Sequence, residues 1–267
     1  MNYIGSKYSL LSFIDNTIKS IVGDDMSKLV FCDLFAGTGI VGRHFKTQVS
    51  QVISNDWEYY SYILNRNYIG KRLNLLEGVD NGFIYSQYCL GGGHDRQYFS
   101  DDNGRKIDAA RIAIENWKNS GEISEDLYYF LLCSLIESAD RYANTASVYG
   151  AFLKKLKRSA QKQIVITPAN YQFNSNNHQV YQEDANALIK RICGDVRQYG
   201  ANYHLLNTIA EYKEFEPKGK TGLREYNRSD YCSRAIVQDS FERLIADANF
   251  KYIILSYNNE GLMSIDT

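Results

Sequence analysis

Lys28-Leu29-Val30-Phe31-Cys32-Asp33-Leu34-Phe35-Ala36-Gly37-Thr38-Gly39 is the stretch that decides the fold. Its first eight residues, apolar apart from Lys28 and Asp33, read as a short buried strand. The strand runs into two glycines, which let the backbone turn sharply and approach a ligand closely, and a helix is expected from Ile40 to Thr47. Working outward, Gln51-Val52-Ile53-Ser54-Asn55-Asp56 is a second strand that closes on an acid, followed by an aromatic helix from Trp57 to Tyr68. Upstream, Leu10, Leu11, Phe13, Ile14, Ile18, Ile21 and Val22 fall at helical spacing between Ser9 and Val22. Strand, glycine turn, helix, strand, acid is the opening of a doubly wound α/β sheet, whose ligands sit at the carboxyl ends of the strands. For the glycines alone, a tight turn without a ligand is the competing reading. Asp56 tips the balance, because an acid there can accept hydrogen bonds from both hydroxyls of a ribose. The turn is therefore read as a site for a nucleoside cofactor, a nicotinamide dinucleotide being less favoured because the turn is read without the third glycine of Gly-x-Gly-x-x-Gly.

The middle of the chain changes character. Asp80 to Asn103 is polar, aromatic and glycine-rich and is expected to be loop; helices are expected over Lys106–Asn119, Glu125–Tyr142 and Tyr149–Lys162. The last carries Lys154, Lys155, Lys157, Arg158 and Lys162 with no acid between Ala151 and Gln163. As a helix it would place Lys154, Arg158 and Lys162 on one face, opposite Leu153, Leu156 and Ala160. The α/β pattern resumes with a strand over Gln179–Asp184, a helix from Ala185 to Ile192, and a buried strand over Lys251–Tyr257. The expected organisation is 1–78 as a cofactor-binding half, 79–172 as an inserted, mostly helical module, and 173–267 as the second half of the sheet.

Composition bounds the rest. With 267 residues, 44% of them apolar, and a formal charge of −1, the chain is long and apolar enough for a sizeable core, which excludes disorder. It has no uninterrupted apolar run near the ~20 residues a membrane span needs. The start, Met1 to Lys7, lacks the basic-then-apolar layout of a secretory signal. Cys32, Cys89, Cys133, Cys193 and Cys232 are odd in number and never paired at Cys-x-x-Cys spacing, which points to a reducing, cytoplasmic setting without structural zinc. The four histidines are equally dispersed, so no metal site is expected. The 22 tyrosines suit base stacking, although a core uses them as readily.

Five segments, taken in order, resemble the α-type, Dam-like adenine-N6 DNA methyltransferases: Asn2-Tyr3-Ile4-Gly5-Ser6-Lys7 ahead of a helix, Asp33 to Gly39, Asn55-Asp56-Trp57, Glu183-Asp184-Ala185, and Leu255-Ser256-Tyr257-Asn258-Asn259-Glu260-Gly261. The resemblance covers essentially the whole chain. It implies a Rossmann-like S-adenosylmethionine-dependent methyltransferase sheet with an inserted, mostly helical target-recognition domain. It also implies S-adenosylmethionine as cofactor. Tyr3, Ser6 and Lys7 would line the methionine end, Lys7 facing its carboxylate. Asp33, Phe35, Ala36, Gly37, Thr38 and Gly39 would surround the methionine and sugar, Asp56 would hold the ribose, and Trp57, Asp184 and Ala185 would border the adenine. The implied substrate is adenine in double-stranded DNA, in a restriction–modification system whose endonuclease acts on the same site. Phosphate contacts call for cations, which Lys154, Lys155, Arg158 and Lys162 offer; Arg96, Gln97, Tyr98, Arg141, Asn144 and Thr145 are the candidates for reading bases.

In one respect the chain departs from that family. The family transfers the methyl with Asp-Pro-Pro-Tyr at the end of its fourth strand, where an acid and a backbone carbonyl hold the adenine amino group and the tyrosine stacks on a flipped base. This chain has only two prolines, Pro168 after Thr167 and Pro217 before Lys218, and neither fits. The motif belongs between Gly194-Asp195-Val196 and Arg197-Gln198-Tyr199. The sequence is read as omitting residues at the Val196–Arg197 junction, and a degenerate relative that binds cofactor or DNA without transferring is the other reading. The closing hairpin expected after the last strand is likewise missing before Thr267.

Overall fold

The computed structural model describes residues 7–65, 77–170, 178–183, 188, 203–225, 233–248 and 250–255. These fall into two compact units. One is built around Lys7–Tyr62 and takes in later segments within Asn174–Gly200 and Asn227–Thr267; the other is built from Ile63–Phe173 and Ala201–Tyr226. The second unit therefore includes chain that the sequence assigns to the last third of the molecule.

The first unit holds a parallel sheet in the order β1-β2-β3, with β1 at Val30–Asp33, β2 at Gln51–Asn55 and β3 at Gln179–Tyr181. β1 and β2 run in register from Val30 opposite Gln51 to Asp33 opposite Ser54, and Asn55 lies opposite Tyr181 of β3. Helix α1 (Leu11–Val22) buries Ile18 against Met26, Phe45, Val49 and Val52, with Ile14, Val22 and Phe31 alongside. Of the residues at helical spacing, Ile14, Ile18 and Val22 form this stripe, whereas Leu10, Phe13 and Ile21 are exposed. Helices α2 (Ile40–Phe45) and α3 (Tyr59–Asn65) follow β1 and β2. The expected strand over Lys251–Tyr257 differs. Its described part, 251–255, pairs with no strand among the described residues, and Tyr252, Ile253, Ile254 and Leu255 are each about half exposed. Val30 on β1 is 51% exposed. The expected helix Ala185–Ile192 lies outside the described residues apart from Leu188.

The second unit is helical: α4 (Phe83–Tyr88), α5 (Asp101–Asn119), α6 (Glu125–Tyr142) and α7 (His204–Glu211). Helix α4 lies where loop was expected, its amides at Ile84 and Tyr85 capped by Asp108 at 2.8 Å each. Helix α5 begins five residues before the apolar periodicity does. Ser100 caps it by accepting from the Asn103 amide, with Asp101 and Asp102 in the first turn where the helix dipole favours anions. Ser124 does the same for α6, where expected and observed bounds coincide.

No helix forms over Tyr149–Lys162. The Leu153 and Lys162 carbonyls and the Lys157 amide bond instead to two buried asparagines, Asn103 and Asn144, and a single turn from Lys157 to Gln161 is the helical pairing left to the segment. Lys154, Arg158 and Lys162 thus share no helix face, although Lys154, Lys155, Arg158 and Lys162 all remain exposed.

Among the described residues, Tyr60, Tyr88, Tyr98, Tyr128, Tyr129, Tyr149 and Tyr203 are buried in the core. Tyr88, Tyr98, Tyr149 and Tyr203 are fully buried around His204. His204 Nε2 donates to the Tyr149 carbonyl at 3.0 Å, and its buried Nδ1 has no partner among the described residues. Burial, helped by the charges of Arg224 and Arg96, pushes the imidazole down to about 4 despite that hydrogen bond. The unfolded chain takes up this proton first. The stability His204 contributes is therefore complete above its ordinary value and is lost as pH falls from 6.5 toward 4. Denaturant titrations at pH 7 and pH 4.5 are expected to show the helical unit weakened by on the order of 2–3 kcal/mol from this group. A His204→Gln variant is expected to lose most of that pH dependence.

Candidate cofactor site and nucleic-acid surface

Because the strands are parallel, Phe35–Gly39, Asp56–Trp57 and Gln182–Glu183 all follow carboxyl ends on one edge of the sheet. Gly37 and Gly39 have φ of 51° and 69°, left-handed values that strain any residue with a Cβ. The turn closes on itself through the Gly39 amide and the Ala36 carbonyl at 2.7 Å, and it is tied to β2 through the Ala36 amide and the Asn55 carbonyl at 3.0 Å.

Asp56 completes the tie. Its Oδ2 accepts from the Gly37 amide at 2.8 Å and its Oδ1 from the Glu58 amide at 3.0 Å, while the Ser61 hydroxyl donates to the Gly37 carbonyl. The Ser61 hydroxyl also reaches this carboxyl. Burial pushes this carboxyl up to about 7, the Glu58 and Gly37 amides opposing and the Glu58 charge adding to the shift. Asp33 lies across the turn. Phe35 and Gly42 amides stabilise it, yet burial raises it to about 6, and its Oδ2 is buried without a hydrogen-bond partner among the described residues. An orphaned acceptor beside a glycine turn fits a ligand with hydroxyl or ammonium donors, as the nucleoside and methionine parts of S-adenosylmethionine have.

Around this core, Ala36 is buried, Thr38 half-buried, and Trp57 about one-third exposed, its carbonyl accepting from Gln182 Nε2 at 3.4 Å. The Glu183 amide reaches Asn55 Oδ1 at 3.5 Å. Phe35 packs on helix α8 (Val237–Asp247) beside Val237, Phe241, Leu244 and Phe250. Lys7 sits half-buried just ahead of α1. No bond of its side chain reaches the turn among the described residues. Tyr3, Ser6, Asp184 and Ala185, like the Val196–Arg197 junction, lie outside the described residues.

One residue of the site goes unread in the sequence, although the signal is there. Gly42 completes Gly37-Thr38-Gly39-Ile40-Val41-Gly42, a Gly-x-Gly-x-x-Gly run. A Cβ at Gly42 would stand 2.9 Å from Ser54 Oγ and 3.3 Å from Val52 Cγ1, so this glycine lets α2 lie close on β2.

The base-reading candidates need correction. Arg96 is buried, and its guanidinium is spent on backbone carbonyls: Gln87 and Gly219 at 3.1 Å, Pro217 and Lys220 at 3.4 Å. Tyr98 is buried and donates to the Tyr149 carbonyl at 2.7 Å. Asn144 and Thr145 are buried, Asn144 with its amide fully engaged and the Thr145 carbonyl holding Lys157 Nζ at 2.9 Å. Groups so enclosed present nothing to a groove; they build the loops. Gln97 is half-buried. Arg141 is exposed and bonded to Thr167 Oγ1 at 2.7 Å.

A small parallel sheet with a glycine turn tied to the acid of the next strand is a mixed α/β arrangement consistent with a methyltransferase that uses S-adenosylmethionine. The model of the D12 class N6 adenine-specific DNA methyltransferases matches residues 3–267, and the chain belongs to that family. It is 60% identical over 285 aligned positions to the type II methyltransferase M.NlaIII of Neisseria lactamica, covering 99% of this chain and 85% of that protein. Similarity extends to M.CviAII of Paramecium bursaria Chlorella virus 1, at 37% over 284 positions, with 99% of this chain and 85% of that protein covered. M.FokI of Planomicrobium okeanokoites is 38% identical over 295 positions; these take in 98% of this chain but only 45% of that longer protein. No solved structure is a significant match. The 285 positions shared with M.NlaIII exceed the 267 residues here, so at least 18 positions of that relative face no residue of this chain. No described helix is long and apolar enough to cross a membrane.

Proposed function

We propose that this adenine-specific DNA methyltransferase modifies the N6 amino group within a short duplex sequence, using S-adenosylmethionine, as the modification arm of a type II system paired with an endonuclease of the same specificity. The observation that carries the reading is the Asp56–Gly37 tie at the sheet's carboxyl edge, within a chain matched by its family from residue 3 to residue 267. The helical unit is read as the target-recognition part.

When bound, S-adenosylmethionine supplies a methyl group made electrophilic by its sulfonium. The chain's own residues do the holding. Gly37 and Gly39 admit the ligand to the backbone, Asp56 would accept from the ribose hydroxyls, and Asp33 Oδ2 supplies a further acceptor. Trp57 would border the adenine with Asp184 and Ala185, and Tyr3, Ser6 and Lys7 would close the methionine end. Ribose hydroxyls donate to an ionised carboxylate, whereas burial keeps Asp56 protonated up to about 7. Cofactor affinity is therefore expected to rise with pH between 6 and 8, with a proton released on binding. Calorimetry in buffers of different ionisation enthalpy measures both, and a flat profile would remove Asp56 from the ribose.

The deciding assay is N6-methyladenine formation in duplex DNA, read by mass spectrometry of the nucleosides. Product confined to duplex supports the proposal, and product in single-stranded RNA would redirect it. Because Asp-Pro-Pro-Tyr is absent from the sequence, a second reading stands beside it: a relative that binds cofactor and DNA and transfers nothing. Cofactor binding without any methylated product would favour that reading.

A further inference from the structure

We infer that Asn103 and Asn144 are positioning residues that hold the basic segment 153–164 as a pre-shaped strap for the phosphate backbone of duplex DNA, an inference that rests on the DNA reading above. Both asparagines are completely buried. At one end, Asn144 Nδ2 donates to the Leu153 carbonyl and Asn144 Oδ1 accepts from the Lys157 amide, both at 2.9 Å; the Leu153 amide returns to the Asn144 carbonyl at the same distance. At the other end, Asn103 Nδ2 donates to the Lys162 carbonyl at 2.9 Å and its Oδ1 accepts from the Ile164 amide at 2.8 Å. Beyond that point α6 continues the clasp. Ser138 Oγ accepts from the Thr167 amide at 3.1 Å and Ser134 Oγ from the Ala169 amide at 3.0 Å, from positions four apart on one face.

The backbone so held has no helical ladder of its own, and apart from the exposed Leu153 and Val165 and the half-buried Lys157 its apolar side chains turn inward and its cations outward. Ala160, Ile164 and Ile166 are buried, while Lys154, Lys155, Arg158 and Lys162 project outward and form no ion pair among the described residues. Nine consecutive residues thus carry cations on an irregular path that no local charge neutralises. Holding such a path in advance removes the ordering cost that a mobile basic loop would meet on binding. A merely solvated charge run needs no buried amides fixing its carbonyls.

The test is duplex binding by fluorescence anisotropy at several salt concentrations, on the full chain. Each phosphate contact contributes about 0.9 to the slope of log affinity against log salt. The surface triple variant K154A/K155A/R158A is expected to lower that slope by about two to three. Asn103→Ala is expected to weaken duplex binding by about tenfold and lower the slope by about one, to leave S-adenosylmethionine affinity unchanged, and to speed tryptic cleavage after Lys154, Lys155, Arg158 and Lys162. If Asn103→Ala does not fold, Ser134→Ala/Ser138→Ala takes its place with the same readouts. An unchanged slope in the triple variant overturns the strap as a DNA contact. Unchanged slope and cleavage in the asparagine or serine variants overturn the positioning role. A wild-type chain that binds no duplex at all overturns the DNA reading itself, which separates the two failures.

Discussion

Inserting a strand that ends in Asp-Pro-Pro-Tyr between Val196 and Arg197 is expected to raise methyl transfer by about a hundredfold or more, the scale that correct positioning of a reacting group commands. The chain aligns with that relative nearly end to end, yet at least 18 of the relative's positions have no partner here. The family resemblance places the motif that grips the adenine amino group at that junction. On the proposed reading the other site residues bind and orient the cofactor, and this motif supplies the grip on the amine. The insertion has a second readout independent of chemistry. Among the described residues β1 is paired on one side only, Val30 is half exposed, and Tyr252 to Leu255 form an extended apolar run facing solvent. A strand paired with the open edge of β1 would bury Val30 at roughly 25 cal/mol per Å², so the melting temperature should rise with the rate. Higher stability without faster transfer would put the catalytic group elsewhere. No change in either would mean the junction is the wrong place.

Asp56→Ala is expected to weaken S-adenosylmethionine binding by about a hundredfold or more. Two hydrogen bonds from ribose hydroxyls to an ionised acceptor are worth about 1.5–3 kcal/mol each, and about 1.4 kcal/mol is a factor of ten. The same substitution leaves the buried Gly37 and Glu58 amides without their acceptor, which loosens the turn as well. Asp56→Asn separates the two effects, since its amide oxygen can still accept one of those bonds while the charge is gone. Titration calorimetry on both variants, with a melting curve for each, gives the comparison. Unchanged affinity in Asp56→Ala would remove the cofactor assignment altogether. The apo proteins should differ in pH response too. Burial raises the wild-type carboxyl, so the folded state binds its proton more tightly than the unfolded state. That unit is therefore expected to gain stability as pH falls from 7 toward 4, by on the order of a few kcal/mol. His204 acts in the opposite direction in the other unit.

The first two strands were legible because their signals are local, whereas the expected strand over Lys251–Tyr257 pairs with none among the described residues. Val30 to Asp33 and Gln51 to Asn55 are short apolar runs bounded by a glycine turn and an acid, and each strand forms where its pattern lies. Helix α6 was legible to the residue, since Ser124, Glu125 and Asp126 announce its start and its apolar stripe is long. The segment 149–162 was not, for a reason no periodicity contains. Its helical spacing is real, but several of its backbone groups are claimed by Asn103 and Asn144, about 60 and about ten residues upstream in the chain. Arg96, Tyr98 and Asn144 misled in a related way. Arginine, tyrosine and asparagine read bases and also bind stray carbonyls, and only tertiary burial says which of the two is happening. The cofactor turn sits between these cases. Its glycines and Asp56 are visible in sequence, whereas the direct bond between Asp56 and Gly37 shows only in the fold.

That bond makes the turn a gauge of strand alignment. Gly37 follows β1 and Asp56 follows β2, so they meet only when Asp33 stands opposite Ser54. A slip of one residue would shift the carboxylate by about 3.3 Å along the strand and out of reach. Misaligned chains therefore have no complete pocket, and a ligand selects the correctly paired ones from the folding ensemble. At a hundred times its dissociation constant, the cofactor would favour that alignment by about 2.7 kcal/mol. Amide hydrogens along Val30–Asp33 and Gln51–Asn55 should then exchange about a hundredfold more slowly wherever their exchange requires the sheet to open.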